Sequence, residues 1–338
     1  MDNELLLYDR IEIIKTTNEK YDLEHNAYLS FSGGKDSTIL HYLLDMALPN
    51  NTIPRVFIDT GIEYTKIREF VLKMAENDKR IEIIKPSKPI RQTLDQVGYP
   101  FKSKQHSHNI MLYQKHNKEK FKEIKRIIDD NNELLKDYSF IHSLPKGIKT
   151  LVKYYFGVRE RERESCMSLM TIPKILKYQL EDKCSIKISD SCCRELKKKP
   201  IHKWEKENNR KVAITGMRKE EGGTRQLISG CVLTDHNGNL KKFHPLLVVD
   251  DNWEEWFIEQ NKIEICELYK PPYNFKRTGC KFCPFALDLE TQLEIAYRLL
   301  PEEAKQGEVI WKPVFDEYRR IGFRLHKVMQ IKLDLEEK

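Results

Sequence analysis

No run of about eighteen uninterrupted apolar residues occurs in the 338-residue sequence, so a hydrophobic membrane-crossing helix is not expected. The opening residues, "MDNELLLYDR", lack both the basic start and the long apolar run of a secretory signal. A cytoplasmic, reducing setting is therefore expected, with no membrane partner. There, eight cysteines point to metal or catalysis rather than to disulfides. Internal repeats and low-complexity linkers are also missing. The ATP/GTP P-loop is missing too: its pattern needs a glycine where Leu29 stands and Ser or Thr where Asp36 stands. No large excess of one charge names a partner. Fifty-nine Lys and Arg against 52 Asp and Glu leave +7, which suits polyanions and nucleotide enzymes alike.

What is present is a chain with room for one large or two modest domains. An amphipathic helix is expected over residues 4–20. Strands at 27–31, 54–58 and 81–84 then alternate with helices at 36–47, 63–77 and 88–97. That spacing argues for βαβ units, hence an α/β fold with a doubly wound parallel sheet. A polar, lysine-rich helical insertion at about 98–155 interrupts the pattern. It resumes with a strand at "SIKIS" (185–189), a helix over 190–207 that Pro200 should kink or split, and a strand at 211–216. A hairpin turning at "HNGN" follows. The expected division is a nucleotide-binding α/β domain over 1–250 and a helical C-terminal region over 251–338.

The stretch "YLSFSGGKDSTILHYLLD" (28–45) is a strand that ends in glycines and feeds a helix. Such a turn offers backbone N–H groups to an anion, and glycines let the backbone approach it closely. Ser30, Ser32 and Ser37 add hydroxyls and Lys35 a cation; Asp36 can cap the helix or hold magnesium. A glycine turn before an ordinary capped helix is the plainer alternative. The full string Ser32-Gly33-Gly34-Lys35-Asp36-Ser37 looks like the PP-loop of the ATP pyrophosphatases, which split ATP between its α and β phosphates.

"VFIDTGIEYTKIREFV" (56–71) resembles the corresponding segment of the phosphoadenosine phosphosulfate (PAPS) reductase family. The resemblance implies that Asp59, Thr60 and Gly61 lie beside the nucleotide. "ITGMRKEEGGTRQ" (214–226) is similar to that family's Thr-Gly-x-Arg segment. By that match Gly216, Arg218 and Arg225 face the sulfate or phosphate end, which suits the bidentate fork of arginine. A solvated loop balanced by Glu220 and Glu221 is the alternative. "HPLLVVDDNWEEWFIEQNKI" (244–263) also follows the family. The likeness covers about 25–97 and 185–285 and leaves out the insertion. Lys35, Asp36 and Arg218 are the expected catalytic residues.

Cys192 and Cys193 are adjacent, while Cys280 and Cys283 form a C-x-x-C far along the chain. Two such pairs fit a zinc ion, an iron–sulfur cluster or plain packing. Adjacent cysteines point apart, which a multi-iron cubane accepts more easily than one zinc. The context "CCRELKKKPI" resembles the adenylyl-sulfate (APS) reductases, and that resemblance implies a 4Fe-4S cluster on these four cysteines. Leu196 departs from it, standing where that family has arginine. Sulfonucleotide reductases also use a cysteine near the C-terminus, and no cysteine follows Cys283 here. The expectation is little or no sulfite from APS or PAPS. Cys166, after "RERERES", has basic neighbours that can lower a thiol pKa, with plain packing as the alternative.

The insertion and Lys197, Lys198 and Lys199 can be a nucleic-acid track or solvated helix faces; "RERERE" (159–164) reads as a self-paired surface. Three readings result. In the first, ATP adenylates a nucleic-acid acceptor (DNA or tRNA) and sulfur enters by way of the cluster, with a cysteine desulfurase or electron donor as partner. In the second, APS or PAPS is reduced to sulfite. In the third, the pocket serves a non-catalytic nucleotide sensor. The missing C-terminal cysteine favours the first.

Overall fold

The computed structural model describes residues 2–158 and 171–325. Among these, no helix is long and apolar enough to cross a membrane. Helix α1 (Asn3–Tyr21) leads into β1 (Ala27–Ser30), and α2 (Lys35–Ala47) carries the chain to β2 (Arg55–Ile58). Helix α3 (Thr65–Asn77) then leads to β3 (Ile81–Ile84). The later part of the chain supplies α4 (Lys199–Glu207), β4 (Val212–Ile214), β5 (Val232–Thr234), β6 (Leu240–Phe243) and α5 (Asp251–Gln260).

The six strands form one sheet in the order β3-β2-β1-β4-β6-β5, parallel except for β5. It is a doubly wound α/β fold. The chain builds outward from β1 to β3, then returns to the other side of β1 with β4. The crevice at the carboxyl ends of β1 and β4 is therefore the topological switch point, where open α/β sheets bind ligands. Helix α2 is buried along most of its length, from Ser37 to Ala47, which fixes its N-terminus at that crevice. Helix α4 packs on the sheet through Trp204, which meets Tyr28 edge-on at 5.2 Å and donates its indole N–H to Glu82 at 2.7 Å. Pro200 sits in the first turn of α4, and a single π-helical turn, Arg194–Lys198, precedes it. The helical run over 192–207 is not split at Pro200; the π-helical turn before it is the irregularity there. The hairpin β5–β6 turns through Gly238 at φ +79°.

The chain falls into two compact units, one of residues 1–89 and 196–281, the other of 90–195 and 282–338. They are interleaved in sequence, whereas the expected division fell at residue 250. The first holds the whole sheet. The second is helical, with Lys104–Leu112, Lys118–Asp130, Lys146–Phe156, Leu289–Leu299 and Pro301–Arg320 as its longer helices. Its core includes buried His106, whose two ring nitrogens meet the Tyr154 hydroxyl at 2.6 Å and the Gln179 side-chain oxygen at 2.7 Å. The expected strand at 185–189 does not form. Ile188 makes a lone bridge to Tyr99, and the Gln114 side chain stands where a second strand would be. That amide donates to the Ile186 carbonyl at 2.8 Å and accepts the Ile188 N–H at 3.0 Å.

Gly33 holds φ +69°, and a β-carbon there would run into the Val71 side chain. Gly33→Ala is expected to destabilise the protein by about 1–3 kcal/mol. The urea midpoint checks this; an unchanged midpoint contradicts it.

Candidate functional site

The turn between β1 and α2 is knit by hydroxyls. Ser32 Oγ accepts the Gly34 N–H at 3.2 Å and lies 3.0 Å from Ser37 Oγ, which in turn accepts the Ser32 N–H at 3.2 Å. The N-cap of α2 is Gly34, with no side chain to cap it. The first-turn amides of a well-buried helix thus face the crevice without the usual capping oxygen. From the neighbouring strand β4 the chain passes Gly216, whose added β-carbon would lie 3.0 Å from the backbone carbonyl of Asp36. Only glycine lets these two segments come so close.

That approach delivers Arg218, which is buried, to the loop. Its Nε lies 2.7 Å from Asp36 Oδ1 and 3.2 Å from Glu254 Oε1, and its Nη2 lies 2.7 Å from Asp251 Oδ1. Lys35 Nζ is 2.8 Å from Glu254 Oε2 and 3.9 Å from Asp251 Oδ1. Arg218 Nη1 also lies 3.4 Å from Glu220 Oε2, so two cations and four acidic side chains share one place. Helix α5 presents Asp251 and Glu254 because Asp250 caps it, accepting the Trp253 N–H at 2.8 Å, and because Trp253 and Phe257 stack in the core. Glu254 is fully buried, and both its oxygens face the cations as ion-pair partners without a well-aligned hydrogen bond. Burial, with the nearby Asp36 carboxylate adding to it, pushes the Glu254 carboxyl up to about 8 despite Arg218 and Lys35.

A cavity of about 140 Å³ opens beside the loop, lined by Ser30, Ser32, the strand residues Val56 to Ile58, Glu63, Lys197, Thr278 and Gly279. Of the Asp-Thr-Gly residues, Asp59 is buried and accepts from Arg68 Nε at 3.0 Å, while Thr60 donates to Glu63 through its N–H and its hydroxyl. Gly61 takes φ +76° with open space around it. Arg225 stands apart from the loop carboxylates: its Nε pairs with Glu221 at 2.9 Å, and Glu221 also takes Arg277. The structure thus gathers Ser30, Ser32 to Ser37, Gly216 and Arg218. Sequence reasoning missed Asp251 and Glu254, although their i,i+3 spacing on one helix face was a usable sign. Nothing in the local sequence marked Glu63 or Thr278.

The cysteines have distinct surroundings. Burial pushes the Cys184 and Cys266 thiols up to about 11, so both are inert at neutral pH. Cys231 meets Arg10 Nη1 at 3.2 Å. Cys192 is buried, and Cys193, Cys280 and Cys283 are half-buried. Gly279, next to Cys280, and Lys197, four residues after Cys193, both line the cavity. The Lys281 N–H donates to the Ile62 carbonyl at 2.7 Å, tying the start of the C-x-x-C to the turn after β2. Cys166 and the stretch 159–164 lie outside the described residues. In the insertion, Lys118 and Lys122 pair with Asp182, Lys120 with Glu123 and Lys125 with Asp129, the pattern of a solvated helix face.

The family model described as phosphoadenosine phosphosulfate reductase domain matches residues 26–141 and 156–286. That match takes in most of the insertion, which the sequence resemblance had left outside. No curated protein matches the chain. Among solved structures it is similar to the phosphoadenylyl-sulfate reductase of Candida auris in its phosphate complex, at 13% identity and a TM-score of 0.39, over 75% of this chain and 81% of that one. It is similar to the FMN adenylyltransferase of Candida glabrata with FAD and pyrophosphate, at 14% identity and a TM-score of 0.43, over 82% of this chain and 62% of that one. It is also similar to the U34-tRNA thiolase of Methanococcus maripaludis with its 4Fe-4S cluster, at 13% identity and a TM-score of 0.36, over 95% of this chain and 80% of that one.

The raised Glu254 carboxyl gives a pH signature. In the unfolded chain it loses its proton near 4.5, and in the folded protein near 8. Between those values unfolding releases a proton, so stability falls as pH rises. Glu254→Gln should flatten that part of the profile, read from urea denaturation at about pH 5 and about pH 8. An unaltered slope in the variant contradicts the assignment.

Proposed function

The chain belongs to the phosphoadenosine phosphosulfate reductase domain family, and on that premise we propose that it is an ATP-dependent sulfurtransferase. The phosphate loop from Ser32 to Ser37 seats the triphosphate, with Lys35 and Arg218 turning to its oxygens, and the adenosine lies in the cavity at the ends of β1 and β2. A nucleic-acid acceptor oxygen, of DNA or tRNA, attacks the α-phosphorus; the bond to the bridging oxygen breaks and pyrophosphate leaves. Hydrosulfide, released when two electrons from a thiol or other electron donor reduce the persulfide of a cysteine desulfurase, then attacks the acceptor atom that bears the adenylated oxygen; that bond breaks and AMP leaves.

The observation that carries this reading is the set of three carboxylates, Asp36, Asp251 and Glu254, beside the two cations. A grip for a bare sulfate or phosphate is built from cations and N–H groups, and the Asp36 and Asp251 carboxylates would repel such an anion. A triphosphate that travels with magnesium would meet no such obstacle, because Asp36, Asp251 and Glu254 would then hold the metal. The donor set fits magnesium: all three are hard oxygen ligands, and the Glu254 oxygens are buried without a well-aligned hydrogen bond. When bound, the metal supplies charge neutralisation for the departing pyrophosphate.

The cysteine set fits a cluster for the reason its spacing gave: Cys192 and Cys193 are adjacent and Cys280 and Cys283 are a C-x-x-C, four thiolates that suit a cubane with several corners. In this reading these four hold a 4Fe-4S cluster, which supplies the place where sulfur is passed on. Support comes from Lys197 and Gly279, which bring the neighbours of both pairs to the nucleotide cavity. A second reading, reduction of APS or PAPS to sulfite, is favoured by the family's own description.

Incubation of anaerobically purified protein with labelled ATP, APS or PAPS, in the presence of DNA or tRNA, separates the two. Pyrophosphate and AMP from ATP are expected, with no sulfite under a thioredoxin-type reductant. Sulfite from APS or PAPS without cleavage of ATP would favour the reductase. Metal analysis of the same sample should give about four irons per chain; stoichiometric zinc would overturn the cluster. Lys35→Ala and Asp36→Ala should each weaken nucleotide binding about tenfold or more without unfolding the protein, since both sit at the crevice rather than in the core. Unchanged affinity in both variants would make the loop merely structural.

A further inference from the structure

Two hydroxyls from outside the loop reach its backbone. Tyr269, at the end of the short 3-10 turn Glu267–Tyr269, is half-buried, and its hydroxyl stands over Gly34 at the start of α2. Thr278 hydrogen-bonds that same hydroxyl and itself lines the nucleotide cavity. The point where Gly34 would carry a β-carbon lies 3.0 Å from the Tyr269 hydroxyl, 3.1 Å from Ser32 Oγ and 3.7 Å from Thr278 Oγ1. Three hydroxyls from three separate segments thus converge on one spot over the glycine, and Ser37 adds a fourth through its contact with Ser32.

The Lys35 N–H is one of the first-turn amides that no carbonyl of α2 can satisfy. In most helices the N-cap side chain or water takes such a group, but the N-cap here is glycine. A tyrosine hydroxyl from a distant segment stands over this turn instead. The other natural acceptor for a first-turn amide is a phosphate oxygen. Burial raises the Tyr269 hydroxyl far above its ordinary range, so at neutral pH it keeps its proton and meets an anion as a neutral donor.

We infer that Tyr269 and Thr278 are phosphate-binding residues of the nucleotide site. In the free protein the Tyr269 hydroxyl stands over Gly34, beside the place a phosphate oxygen would take at the Lys35 N–H. On binding, the phosphate takes that N–H, and the two hydroxyls donate to its oxygens. This assignment rests on the nucleotide reading above and extends the phosphate grip to the segment 269–278, which none of the sequence motifs covers. It also explains why Gly34 tolerates no side chain: a β-carbon would stand among the hydroxyls.

The test is equilibrium binding of ATP, inorganic pyrophosphate and adenosine to the full chain and to Tyr269→Phe, Thr278→Val and Thr278→Ser. Tyr269→Phe and Thr278→Val should each weaken ATP and pyrophosphate about tenfold, the loss expected of one hydrogen bond to a charged group, and leave adenosine unchanged. Thr278→Ser, which keeps the hydroxyl, should bind like the wild type. A merely structural pair would lower the thermal midpoint and weaken all three ligands together, which overturns the assignment. So does ATP affinity within twofold of wild type in both hydroxyl-deleting variants. Absence of ATP binding by the wild type itself would overturn the nucleotide reading and this one with it.

Discussion

Burying Glu254 between Lys35 and Arg218 is the constraint on which the rest of the site depends. With the Glu254 carboxyl pushed up to about 8, the two cations are held by Asp36, Asp251 and Glu220. The cations are held in position rather than extended into solvent. In the proposed function an incoming triphosphate competes with carboxylates for Lys35 and Arg218, so binding is an exchange of partners. That exchange is cheap only if something positive accompanies the nucleotide. The proposed preference among adenine nucleotides rests on this one packing decision.

The scaffold makes that decision possible. Strand β1 delivers the loop and its neighbour β4 delivers Arg218, because the chain reverses its direction of building at β1. Gly216 lets the two segments approach at backbone distance. Trp253 and Phe257, stacked at 4.9 Å, hold α5 so that Asp251 and Glu254 meet the cations. Each contributor is packed into the sheet or against it, which suits the proposed role of orienting phosphate oxygens.

The βαβ pattern over 27–97 was legible because its strands and helices obey their own periods and are bounded by glycine, proline and polar turns. "SIKIS" misled because its alternation is that of a strand, while the partner that satisfies its backbone is the side chain of Gln114, which no local pattern reveals. Within the site, the glycine loop and Arg218 were legible through their motifs. Asp251 and Glu254 carried only a helical spacing, and Tyr269 carried no sign at all. These residues act through contacts between distant segments, and distance along the chain hides them. Arg225 shows the converse: its motif put it in the phosphate grip, yet Glu221 lies four residues before it and holds it.

The central claim is that carboxylates and cations together select a metal-accompanied triphosphate. Calorimetric titration of the full chain with ATP and with APS, each with and without magnesium, tests it most directly. ATP should bind about tenfold tighter or more when magnesium is present, and APS should bind more weakly and be indifferent to the metal. Tight APS binding with ATP affinity unmoved by magnesium would contradict the account.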